Sequence, residues 1–226
     1  MAASLWLFDF DNTLARLEPE VDWAASRREL EPMLRNAGAP EPLFERFPKG
    51  NLVLYEAYRA HLAGLVRRDG GEHRAILQRA SAIIEKFELQ GVDSAPPLDG
   101  APELLRSIPK AGHLAGIVTS NSSRTVERWL QKHSLADSVT VIVGRDSVLP
   151  LKPAPDMILE ALKVASISAA DSTYVGDTAT DCAAAQAAHV TFYGIARSQG
   201  ALDALKAAGA VDIFDSLQTL AAYHKV

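Results

Sequence analysis

The segment Ser4-Leu5-Trp6-Leu7-Phe8-Asp9-Phe10-Asp11-Asn12-Thr13-Leu14 constrains this chain more than any other. Its first half is short, apolar and rich in large side chains, which predicts a buried strand. Asp9 and Asp11 follow two positions apart, and in extended backbone positions i and i+2 face the same side. Two carboxylates at the mouth of a buried strand repel each other unless a cation or a proton intervenes. Such a pair suits a divalent metal, a carboxylate nucleophile and a proton carrier. Asp-Asn-Thr is also ordinary turn and cap chemistry, so the rest of the chain has to decide between the two.

Beyond Leu14 the texture changes. Residues 16–95 are helical in style, with helix signals from Val21 to about Gly38, from Pro40 to Phe47, from Leu52 to Arg68 and from Ala75 to Leu89. Asp69-Gly70-Gly71 reads as a break, and the Pro/Gly/Asp-rich stretch from Gly91 to Gly100 reads as a hinge. After it, apolar strand-like runs ending near Val118, Val143, Val175, Tyr193 and Phe214 alternate with helical segments. That alternation predicts a parallel sheet covered on both faces. The expected architecture is a doubly wound, Rossmann-like α/β core, residues 1–15 and 96–226, with a small all-helical domain, residues 16–95, inserted after the first strand. An insertion at that point would hang over the strand ends as a lid.

Three later strand ends also carry polar chemistry. Val118-Thr119-Ser120-Asn121 presents a hydroxyl and small polar residues where a helix opens, which suits a phosphate-sized anion, although the same residues could simply cap that helix. In Leu151-Lys152-Pro153-Ala154-Pro155 the prolines restrict where the Lys152 ammonium can point. In Gly176-Asp177-Thr178-Ala179-Thr180-Asp181 a glycine allows a tight turn, and two carboxylates follow one helical turn apart. Asp177 as a helix cap is the plain alternative. Taken together, the four strand ends supply two acids, a hydroxyl with amide donors, a lysine and two more acids.

This set resembles the haloacid dehalogenase superfamily, over nearly the whole chain. Asp9-Phe10-Asp11-Asn12-Thr13 resembles its first signature, with Asn12 where glycine is commoner. Thr119, Lys152 and Asp177/Asp181 resemble the other three motifs in order, and the helical block resembles the C1-type cap. The resemblance implies that Asp9 attacks phosphorus and forms an aspartyl-phosphate, and that Asp11 protonates the leaving oxygen and then activates water. It implies Mg²⁺ held by Asp9, the Asp11 carbonyl, Asp177 and Asp181. Thr119 and Lys152, with Ser120 and Asn121, would hold the phosphoryl group. Asp11 argues against dehalogenation, which needs no acid for the leaving group.

In this family the cap selects the substrate, and Lys49 is the expected contact for a second anionic group. The expected activity is Mg²⁺-dependent hydrolysis of a small phosphate monoester, with phosphoglycolate as the candidate. A sugar phosphomutase of the β-phosphoglucomutase type is the alternative, and a non-catalytic phosphorylation switch is a rival of another class. Trp23 and Trp129 are expected to pack rather than to meet substrate.

Composition fits. Of 226 residues, 48% are hydrophobic, and 23 basic against 28 acidic residues leave a formal charge of -5, which speaks against a nucleic-acid partner. No apolar run is long enough to span a bilayer. A cleaved leader would remove Asp9, and the single cysteine, Cys182, fits a reducing compartment, so the cytoplasm is expected. The chain is expected to act as a monomer or homodimer on a small phosphorylated metabolite.

Overall fold

The computed structural model describes residues 4–65 and 70–224. The predicted strands form one parallel sheet of six: β1 (Leu5–Phe8), β2 (Leu114–Val118), β3 (Val141–Val143), β4 (Ser172–Gly176), β5 (Thr191–Ile195) and β6 (Asp212–Phe214). Their spatial order is β3-β2-β1-β4-β5-β6. The order reverses at β1, which pairs with β2 on one side (Phe8 beside Ile117) and β4 on the other (Phe8 beside Val175). A reversal of this kind opens a crevice beyond the carboxyl ends of the two central strands. Asp9 follows the end of β1 directly, and Asp177 the end of β4.

Strand β1 is buried on both faces because its side chains alternate between two apolar layers. Leu5 and Leu7 join one cluster with Val118, Val143, Met157, Ile158 and Tyr174. Trp6, Phe8 and Phe10 join the other, with Leu105, Ile117, Val126 and Trp129. Phe10 stands between the two acids and is fully buried, its ring edge-on to Trp129 at 5.3 Å. Burial on that scale is worth about 3 kcal/mol, so the acidic pair is anchored by the residue between its members.

Among the described residues, five α-helices lie between β1 and β2 in the chain: α1 (Trp23–Asn36), α2 (Glu41–Arg46), α3 (Asn51–Ala63) and α4 (Gly70–Gly91) of the helical insertion, then α5 (Ala101–Lys110). Asp22 caps α1 through the Ala25 N–H. α3 ends at Ala63 with Gly64 as its C-cap, short of the expected Arg68, while Asp69 of the expected break lies outside the described residues; α4 takes in Gly70 and Gly71 rather than starting near Ala75. The chain leaves β1 and comes back through adjacent segments. The Arg16 N–H donates to the Pro96 carbonyl at 3.0 Å, and the Leu98 N–H to the Leu14 carbonyl at 2.9 Å. The rest of the chain supplies α6 (Ser123–Lys132), α7 (Asp156–Ala165), α8 (Ala179–Ala187), α9 (Gln199–Ala207) and α10 (Leu217–His224).

Candidate active site

Immediately after β1 the chain turns tightly. The N–H groups of Leu14 and Ala15 both donate to the Phe10 carbonyl, at 2.9 and 3.0 Å. Asn12 takes φ 58°, a left-handed conformation that asparagine tolerates better than most residues. That is how asparagine can stand where the family more often has glycine. The turn leaves Asp9 6% exposed and directs Asp11 toward the start of the helical insertion. There the Asp11 Oδ1 accepts from the N–H groups of Leu17 and Glu18, at 2.9 and 3.1 Å.

Lys152 bridges the acids. Its Nζ donates to Asp9 Oδ1 at 2.6 Å, to Asp181 Oδ1 at 2.5 Å and to the Tyr174 hydroxyl at 3.0 Å. All three of its donors are thus engaged. Asp181 is held from its other side by a capping box, in which the Thr178 hydroxyl accepts from the Asp181 N–H and Asp181 accepts from the Thr178 N–H. Gly176 makes this possible: a Cβ there would lie 2.6 Å from the Asp181 Cβ. Asp177 is half-buried beside them, with Thr13 Oγ1 at 3.5 Å.

Electrostatics follow from this crowding. Burial raises the Asp9 carboxyl well above its ordinary value, Lys152 opposes that, and Asp181 and Asp177 add to it. Burial pushes Asp177 up to about 7, with Asp181 contributing and Lys152 opposing. Asp11 is pushed up to about 6 by burial, against the lowering effect of the Glu18 and Leu17 N–H groups. Burial acts to lower the Lys152 ammonium, but Asp181 and Asp9 outweigh it and hold it above its usual range.

Asp9, Asp177 and Asp181 each offer a carboxylate oxygen, all within 4.8 Å of one another. Oxygen donors carrying excess negative charge are what a hard divalent cation such as Mg²⁺ requires. One lysine against three carboxylates leaves a deficit that such a cation would fill, so this donor set fits the metal.

A cavity of about 560 Å³ opens over these groups. Its floor includes Asp9, Asp11, Thr119, Ser120, Asn121, Lys152, Asp177 and Asp181, so every predicted core residue is brought together here. Its other wall comes from the helical insertion: Glu18, Trp23, Gly50, Asn51, Leu52 and Val53. Lys49 is exposed and does not line this cavity, although its neighbour Gly50 does. Trp23 packs on both apolar clusters as expected and also faces the cavity, whereas Trp129 is wholly internal and donates to the Ala95 carbonyl. The sequence reading missed Glu18, Leu52, Val53 and Tyr174. None stands in a motif; only the position of Glu18 just past the acidic pair could have signalled its place.

Likeness to known proteins decides the family. A family model described as haloacid dehalogenase-like hydrolase matches residues 54–195, well over half of the chain. The chain belongs to that family. It is 27% identical to a phosphoglycolate phosphatase of Rhodospirillum rubrum, over 95% of this chain and 88% of that protein. It is 29% identical to an N-acetylmuramic acid 6-phosphate phosphatase of Pseudomonas aeruginosa, over 77% of this chain and 74% of that protein. The crystal structure of a hydrolase from Pseudomonas syringae superposes with a TM-score of 0.67 at 23% identity, covering 100% of this chain and 99% of that one. Among the described residues, no helix is long and apolar enough to cross a membrane.

Proposed function

We propose that this haloacid dehalogenase-like hydrolase is a Mg²⁺-dependent phosphatase that cleaves a small phosphate monoester through an aspartyl-phosphate on Asp9. The observation that carries the reading is the Asp9–Lys152–Asp181 bridge beside Asp177 and Asp11, open to a cavity of about 560 Å³. Asp9, Asp177 and Asp181 would hold the ion, which supplies charge neutralisation for the phosphoryl oxygens. Lys152 holds the Asp9 carboxylate in place and neutralises incoming anionic charge. The Asp9 oxygen attacks phosphorus while Asp11 gives its proton to the leaving alcohol. Asp11, now ionised, takes a proton from the water that attacks the acyl phosphate, which regenerates Asp9 and releases inorganic phosphate. An Asp11 carboxyl pushed up to about 6 suits both halves of that task. Thr119 and the loop behind it position the phosphoryl group.

Hydrolysis is favoured over the phosphomutase alternative because the relatives quoted above are named phosphatases. Phosphoglycolate remains the candidate substrate. Lys152 is the one lysine or arginine among the described residues lining the cavity, and Asp9 and Asp181 already engage it. A substrate carboxylate would therefore be received at the start of α3. There the N-cap Gly50 offers no side-chain cap, and Gly50 to Val53 line the wall. The test is kcat/KM for 2-phosphoglycolate against ethyl phosphate and a hexose 6-phosphate. An advantage of roughly tenfold or more for phosphoglycolate is expected from one charge-assisted contact. Equal turnover of all three would remove phosphoglycolate and leave a phosphatase of broader choice.

A further inference from the structure

The site's phosphate-side loop rests on a charged pair that the reaction scheme leaves unused. Glu88 of α4 and Arg145, in the 3-10 turn Arg145–Ser147 after β3, are both fully buried. Arg145 Nη1 donates to Glu88 Oε1 at 2.9 Å and Nη2 to Glu88 Oε2 at 3.1 Å. The same guanidinium reaches the Ser120 carbonyl at 2.6 Å and the Ser81 hydroxyl of α4 at 3.2 Å. Glu88 in turn accepts from Asn121 Nδ2 at 3.0 Å, from the Ser122 N–H at 3.1 Å and from the Thr125 hydroxyl at 3.2 Å. One ion pair thus ties the last turns of the helical insertion to three consecutive residues behind Thr119.

We propose that Glu88 and Arg145 are positioning residues, which set the Thr119–Ser120–Asn121 loop for phosphoryl binding and lock α4 to it. Stability alone does not call for such a pair, since apolar side chains of similar volume often serve a buried position as well or better. What apolar groups could not do is orient amides. Glu88 engages the amide nitrogen of Asn121, which leaves the Asn121 Oδ1 to accept from the Thr119 hydroxyl at 3.1 Å. Arg145 fixes the Ser120 carbonyl, and the peptide beyond it sends the Asn121 N–H to Thr119 Oγ1 at 3.1 Å. Both ends of the Thr119 hydroxyl contact therefore trace back to the pair.

This inference rests on the reading of that loop as the phosphoryl-holding one, and the experiment separates the two. The Mg²⁺-loaded protein is compared with Glu88→Gln and with the double variant Glu88→Met/Arg145→Met. The measurements are Tm, kcat and KM on an aryl phosphate, and the inhibition constant of inorganic phosphate. Glu88→Gln is expected to lower Tm, to cut kcat/KM roughly 10- to 100-fold and to weaken phosphate inhibition. The double Met variant is expected to regain most of the Tm while keeping the kinetic defect. Should that variant not fold, Glu88→Gln is measured again in an Asn121→Ala background. If Glu88 acts through Asn121, its effect on phosphate inhibition shrinks there rather than adding in full. A double Met variant with wild-type kinetics, or full additivity in the Asn121→Ala background, would overturn the positioning role. A wild type that neither releases phosphate nor is inhibited by it would overturn the reading of the loop instead.

Discussion

Asp11 carries a proton at neutral pH more often than an exposed aspartate because it lies in a partly dry turn facing Glu18. With its carboxyl at about 6, the protonated form needed for the first step declines above that pH. The expected profile is a fall in kcat/KM of about tenfold per pH unit on the alkaline side. In Asp11→Asn the Asp11 contribution to that limb should vanish and turnover should drop about 10²- to 10⁴-fold. An unchanged limb in the variant would assign the titration to the substrate. Asp9, Asp11, Thr119, Lys152 and Asp177 were legible in the sequence because each stands at or just past the end of an apolar run, and Asp181 because it follows Asp177 by one helical turn. Glu88 and Arg145 were not. Glu88 sits in a helical stretch among ordinary surface charges, and only the packing of α4 against the loops after β2 and β3 gives it partners. Lys49 shows the reverse: a basic residue in a plausible turn, but exposed and off the cavity wall.

At the scale of elements, the junction between β4 and α8 is the most tightly specified. Gly176 has no room for a methyl group, because the nearest atoms are the Asp181 Cβ and Cγ, both at 2.6 Å. Gly176→Ala is expected to push α8 outward and to break the Lys152–Asp181 contact. The Mg²⁺ concentration for half-maximal activity should then rise about tenfold or more, at a cost of about 1–3 kcal/mol in stability. An unaltered Mg²⁺ requirement would mean that Asp181 does not help to hold the ion. Element positions were readable because periodicity and punctuation agree along most of the chain: Pro102 opens α5 in its first turn, and the β-branched run at Val141 is β3. The start of α4 was misjudged because two glycines read as a break, yet both lie at the helix's first turn, where their cost is small.

For the whole molecule, the charge cluster couples metal, protons and stability. Asp9, Asp11 and Asp177 all titrate higher in the fold than in an unfolded chain. Between about pH 4 and 7 the metal-free fold therefore binds more protons than the unfolded chain. Its contribution from this site is full below the ordinary carboxylate range and is lost as pH rises through about 7. Mg²⁺ should restore that loss by replacing the protons, so its affinity should weaken about tenfold from pH 8 to pH 6 if Asp177 alone must deprotonate. Thermal unfolding with and without Mg²⁺ checks this, and the rise in Tm should be larger at pH 8 than at pH 5.5. An equal rise at both would show that Mg²⁺ does not bind these carboxylates.

All of the proposed chemistry turns on Asp9 as the nucleophile of a Mg²⁺-dependent phosphatase. Its most direct test is phosphate release from an aryl phosphate by wild type and Asp9→Asn, each with and without Mg²⁺. Wild type is expected to release phosphate until the metal is chelated, and Asp9→Asn to show no release above background under either condition. Turnover that survives in Asp9→Asn, or a wild type indifferent to Mg²⁺, would contradict it.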